Sequence, residues 1–123
     1  MVLRCMIIGM LLGAVTEAIA RTLGLWVYRR PQTPIINVVV MFGLIMGGIA
    51  SLVGPLGIVG TFVLAFAIGL AYEIANLRLL DWWYFPGDRM AFVRGHAAIA
   101  LVLAVLWGSV PLLTAACHGV LFR

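Results

Sequence analysis

From Pro31 to Tyr72 the chain runs 42 residues without an Asp, Glu, Lys or Arg. As one helix this stretch would extend about 63 Å, roughly twice the hydrocarbon thickness of a bilayer. It must turn, and Gly54-Pro55-Leu56-Gly57 supplies the break, because proline blocks a helix interior and glycine relaxes the backbone. The pattern therefore predicts one span near residues 35–53 and another near 57–80. Gly95 to Phe122 is equally free of these charges and predicts a span near 97–116. The first segment, 5–28, is apolar except for Glu17 and Arg21. Four transmembrane helices with short connections are expected, in a single integral membrane domain over 1–123.

Arg4, the apolar run and Ala18-Ile19-Ala20 have the pattern of a secretion signal with a small-residue cleavage site. The run resumes through Leu23, Leu25, Trp26 and Val27, however, and reaches spanning length. A retained first span is expected.

Composition agrees with the pattern. Hydrophobic residues make up 65% and charged residues 10%, against about 45–50% and about 25% in soluble domains. A soluble fold of this size has no interior large enough for that much apolar surface. All eight basic residues are Arg. Arg29, Arg30, Arg78, Arg89 and Arg94 flank the first and third connections, leaving Arg4 and Arg123 on the other side. The positive-inside rule then puts both termini on the non-cytoplasmic side, in the cell membrane (inner membrane) of a bacterium. The net charge of +4 reads as topology and headgroup contact. No basic stripe with interleaved aromatics points to nucleic acid.

Sliding the chain against itself by 56 residues aligns Gly13, Glu17, Leu23, Trp26 and Tyr28 with Gly69, Glu73, Leu79, Trp82 and Tyr84. This is the signature of a parallel repeat of a two-helix hairpin. The expected fold is an all-α membrane protein, a four-transmembrane-helix bundle built from two such hairpins. Gly9, Gly13 and Glu17 share one helix face, as do Ala65, Gly69 and Glu73. Small residues at this spacing admit a neighbouring backbone, so each packing surface also carries an acid. Each Glu precedes a Trp by nine residues, about 13 Å along a helix. With that Trp in the interfacial belt, each acid is expected near the bilayer middle.

Carboxylates there need a partner, a proton or water. Arg21 lies one turn beyond Glu17 and can neutralise it. Glu73 has no such neighbour; it is expected to carry a proton or to pair across helices with Arg21 or Asn37. These four residues are the candidate binding or proton-linked group, against the plainer reading of a polar staple that fixes packing. Cys5 and Cys117 fall on one side of the membrane. They would pair as a disulfide if that side is oxidising, and otherwise act as small apolar residues.

Between the third and fourth spans lies Asp81-Trp82-Trp83-Tyr84-Phe85-Pro86-Gly87-Asp88-Arg89. Its four successive aromatics suggest an interfacial shelf at headgroup level, with Pro86-Gly87 stopping the helix and Asp88-Arg89 facing water. Such a shelf would grip a lipid head or a partner protein. Glu73, Asp81-Trp82-Trp83-Tyr84, Pro86, Gly95 and Trp107-Gly108, with the upstream Gly13 and Glu17, resemble the small membrane proteins classed as ABC-transporter type IV components. The resemblance covers residues 69–108, and 9–30 more loosely, and implies a transport role. Asp81 here precedes the Trp pair, whereas in the family it follows a Trp. Ala14 to Leu23 is similar to part of the small multidrug-resistance transporters, and Thr33 to Gly48 to part of the fluoride channels.

His96 and His118 stand about 33 Å apart on a helix, too far to share a metal. No phosphate-binding glycine loop and no nucleophilic triad is present. No metal or cofactor is implied, although a lipid or pigment could occupy the bundle. Three functions follow as expectations. The first is a non-enzymatic transport or accessory subunit in a larger membrane complex or homo-oligomer. The second is a proton-coupled carrier or ion channel acting as a dimer, and the third an enzyme acting on a lipid or isoprenoid.

Overall fold

In the computed structural model, which describes residues 1–123, four helices are long and apolar enough to cross a membrane. They are α1 (Val2–Leu23), α2 (Thr33–Ala50), α3 (Val53–Leu80) and α4 (His96–Leu121). Strand β1 (Val27–Tyr28) follows α1, and β2 (Trp83–Tyr84), β3 (Arg89–Met90) and β4 (Val93–Arg94) lie between α3 and α4. Apart from a small β cap on one end the chain is all-helical, with the four long apolar helices of a multi-pass membrane protein by length and composition.

Local chemistry explains the helix ends. Gly24 adopts the left-handed conformation (φ 62°) that terminates α1, which costs glycine nothing. The Leu25 N–H then donates to the Ala20 carbonyl at 2.9 Å. Helix α1 therefore stops at Leu23, short of Tyr28, and the chain beyond it turns back toward the bundle. Helix α3 ends in the same way: Asp81 is left-handed (φ 47°), and its N–H reaches the Asn76 carbonyl at 2.9 Å.

The chain leaves α2 just before the Gly-Pro-Leu-Gly segment, which then supplies a second break. The turn is at Ser51–Leu52, and Pro55 sits in the first turn of α3, where a missing N–H leaves no helix bond unmade. Gly57 (φ 69°, ψ 174°) then breaks the helical path, so the uninterrupted part of α3 starts at the end of this motif, after a single short turn from Val53.

Helix α1 packs chiefly along α2, and α3 along α4, while α4 also touches α1 and α2. Glycines set the first two approaches. A side chain on Gly13 would strike the Phe42 ring, and one on Gly69 would strike Trp107. Phe42 and Trp107 meet each other at the centre, with ring centroids 4.7 Å apart. The core gathers Met41, Phe42, Met46 and Ile49 from α2 with Ile99, Leu103 and Trp107 from α4.

After each outer helix the chain returns as a strand, and β1 and β2 pair antiparallel, Val27 opposite Tyr84 and Tyr28 opposite Trp83. Arg29 N–H extends the ladder to the Trp82 carbonyl at 2.9 Å. An extended chain presents alternate residues to opposite sides. Trp83 and Phe85 are accordingly buried, while Tyr84 is 39% exposed. The aromatic run is therefore a lid folded into the core, with only part of it at the surface. Strands β3 and β4 form a hairpin beside it.

Candidate functional site

Glu17 is half-buried on α1 and is held by neutral donors. The Tyr28 hydroxyl donates to it at 2.5 Å, Asn37 Nδ2 at 2.7 Å and Trp26 Nε1 at 3.4 Å. Asn37 is itself buried, and its amide oxygen accepts from the Tyr72 hydroxyl at 3.1 Å. The cluster ties α1, β1, α2 and α3 together. Burial, and then the Glu17 carboxylate beside it, push the Tyr28 hydroxyl well above its ordinary pKa, so it remains a donor.

Arg21 takes no part. It is exposed and makes no ion pair, because the returning β1 segment fills the space around Glu17 with Tyr28 and Trp26. The return also removes the aromatic marker of depth. Trp26 and Tyr28 do not stand a helix length beyond Glu17 but fold down onto it. Glu17 lies six residues from the end of α1 and Glu73 seven from the end of α3. At 1.5 Å per residue both lie about 10 Å along the axis from the capped ends of their helices, and Glu73 there meets Trp107 in the middle of α4.

Glu73 is only 3% exposed. Trp107 Nε1 donates to its Oε1 at 3.0 Å, and the Trp83 indole stands beside the same acid. Neither Arg21 nor Asn37 reaches it, since the Asn37 amide is committed to Glu17, Tyr28 and Tyr72. No cation faces either intramembrane acid. The ion pairs of the molecule, Arg29–Asp81 at 2.8 Å and Asp88–His96 at 2.7 Å, are both exposed on the cap.

Between the hairpins lies a cavity of about 220 Å³. Glu73 and Trp107 form one wall, Asn37 and Tyr28 another, and Phe42 and Leu103 are among its apolar lining. Its outer rim includes Thr16 of α1 and Leu106, Ser109 and Leu113 of α4. The last three are exposed in mid-helix, where a spanning helix faces lipid. The opening is therefore sideways, between α1 and α4. In size the cavity exceeds the roughly 150 Å³ that can hold a benzene ring.

Within the shelf, Asp81 pairs with Arg29, whose guanidinium also stacks 4.5 Å from the Tyr84 ring centroid. Trp82 is half-buried, Pro86 and Arg89 are exposed, and Arg89 Nε bonds the Ala91 carbonyl at 2.8 Å. Asn76 fixes the lid from below. Its Oδ1 accepts from the Trp82 and Trp83 N–H groups at 2.8 and 3.2 Å, and its Nδ2 donates to the Trp83 carbonyl at 3.0 Å. Cys5 and Cys117 are free thiols, Cys5 fully buried.

The sequence pattern singled out both acids and Asn37 but not the roles of Tyr28, Tyr72 and Trp107 as their partners, nor that of Asn76 in holding the lid. Trp107 carried a signal only as part of the Trp-Gly pair. Asn76, a lone amide near the end of an apolar span, was the missed clue, since a polar residue there needs a bonding partner. Set against family models, curated proteins and solved structures, the chain matches none of them.

Proposed function

We propose that this protein is a non-enzymatic transport component of the membrane, whose solute site is the cavity between its two hairpins. The observation that carries this reading is the pair of polar walls, Glu73 with Trp107 and Asn37 with Tyr28, facing one apolar space that opens to lipid. Concave, mostly apolar sites with a few convergent polar groups are the usual form of small-molecule sites. Intramembrane acids that face a cavity commonly mark a substrate or ion path.

The repeat supports the same reading. Under the 56-residue offset Val27 corresponds to Trp83 and Tyr28 to Tyr84. The β1–β2 register therefore joins each position to its partner's counterpart, as a local two-fold axis between the hairpins requires. Sites at repeat interfaces are common in transporters. The arginines beside β1 and on the cap argue for the capped end in the cytoplasm, with both termini outside. Subunit packing would use the outer faces of α1 and α3, which expose Leu3, Ile7 and Leu11, and Ile58, Val59 and Val63.

Native mass spectrometry of the chain extracted from its membrane tests this. The expected spectrum is an oligomer or complex carrying a small co-purifying molecule, and Leu106→Trp, which fills the mouth, loses that molecule. A strictly monomeric chain with no bound molecule would overturn the reading.

A further inference from the structure

The hydrogen-bonding state of the cavity wall restricts what can occupy it. The Trp107 N–H is committed to Glu73, with the Trp83 indole beside the same acid. Tyr28 and Asn37 spend their donors on Glu17 and each other. The two hydroxyls at the rim turn theirs inward as well. Thr16 Oγ1 donates to the Leu12 carbonyl at 2.8 Å, and Ser109 Oγ to the Val105 carbonyl at 2.9 Å. What remains open toward the cavity is the lone pairs of the Thr16 and Ser109 oxygens and of the second Glu73 oxygen, together with the indole N–H of Trp83, which lines the same space.

We infer that the occupant is a neutral, membrane-dissolved alcohol: a hydroxyl head that donates to this acceptor set, on a narrow apolar body. This rests on the cavity being the solute site. A hydroxyl donates to those lone pairs and accepts from the Trp83 N–H, whereas an ether or ketone can only accept and leaves the lone pairs facing another acceptor. A hydroxyl both donates and accepts, so it is matched to Glu73 with or without a proton. Neutrality follows from the route. The mouth between Leu106, Leu113 and Thr16 faces mid-helix hydrocarbon, through which a charged head passes only at large expense. The volume sets the body at about one substituted ring or a short branched chain.

The test uses the full chain in lipid nanodiscs and reads quenching of its tryptophans, of which Trp26, Trp83 and Trp107 line the cavity. The probes are 2-(4-bromophenyl)ethanol, its methyl ether and the corresponding primary amine, compared at equal membrane concentration. The expected result is saturable quenching by the alcohol at least tenfold tighter than by the ether or the amine. Ser109→Ala, an exposed position that tolerates the change, reduces that preference at least threefold, and Glu73→Leu abolishes it. Equal saturable binding of alcohol and ether, or tighter binding of the amine, overturns the assignment of the head while leaving the solute site standing. Quenching by all three probes that never saturates overturns both.

Discussion

Glu17 and Glu73 occupy equivalent places in the 56-residue alignment, each one turn beyond a glycine on the packing face of an outer helix. Each glycine is covered by an aromatic ring of the helix that follows, Gly13 by Phe42 and Gly69 by Trp107. That single difference separates the two sites. Phe42 offers no donor, so Glu17 is satisfied by the returning chain and by Asn37, which closes it in with three bonds. Trp107 offers an indole N–H to Glu73, and the second carboxyl oxygen is left facing the cavity. The same acid at the same spacing is a structural tie in one hairpin and an open wall in the other. Similar motifs on two helices thus need not share a role, because the partner helix decides it.

The comparison can be broken by substitution. The largest effect is expected at Glu17→Gln. Its amide N–H₂ would face the donors of Trp26 or Asn37, and the tie should weaken by about 2–3 kcal/mol. Thermal unfolding in detergent, followed by tryptophan fluorescence, should register this as a fall of several degrees. Trp107→Phe makes the second site resemble the first without its compensating donors. It should cost about 1–2 kcal/mol in the same assay and loosen the α3–α4 contact.

Glu73→Gln should have a smaller effect on stability, below about 1 kcal/mol, since its amide oxygen still accepts from Trp107. A stability loss equal to that of Glu17→Gln would erase the distinction between the sites.

Tyr28 sharpens the comparison through pH. Its hydroxyl titrates above the ordinary value of about 10, so the folded state holds that proton more tightly than the unfolded chain. The corresponding stability is complete below about pH 10 and declines as pH rises through the elevated folded value. The margin of wild type over Tyr28→Phe should therefore narrow above about pH 10. The smallest effect belongs to the cap. Arg29→Ala removes an exposed ion pair with Asp81 and should change stability by about 0.5 kcal/mol, less at high salt.

Much of the frame was legible in the charge-free runs, because hydrocarbon admits helices of one length and little else. The glycine and acid spacing on α1 and α3 also identified their packing faces: Gly13 and Gly69 contact the following helices, and Glu73 is buried. What the pattern hid was the direction of the chain after each outer helix. Trp26 and Tyr28 in an apolar context read as a continuing helix with an interfacial belt, and only the left-handed Gly24 reverses them onto Glu17. Arg21 was assigned to Glu17 by helical spacing alone, but neutral donors brought by that reversal took its place. The lid was obscured for a related reason. Four aromatics in a row carry no periodicity, so their alternation between core and surface emerges only once β2 pairs with β1. Asn76, which holds the lid, bonds residues six and seven positions on, past the end of α3, where helical spacing does not place a partner.

The most direct test of the account is the site of modification by a small lipid-soluble carbodiimide, diisopropylcarbodiimide, which reacts with carboxyl groups reached from the bilayer. With the protein in nanodiscs and the adducts located by peptide mass mapping, the account predicts modification at Glu73, suppressed by Leu106→Trp, with Glu17 left intact. Modification at Glu17 in preference to Glu73 would contradict it.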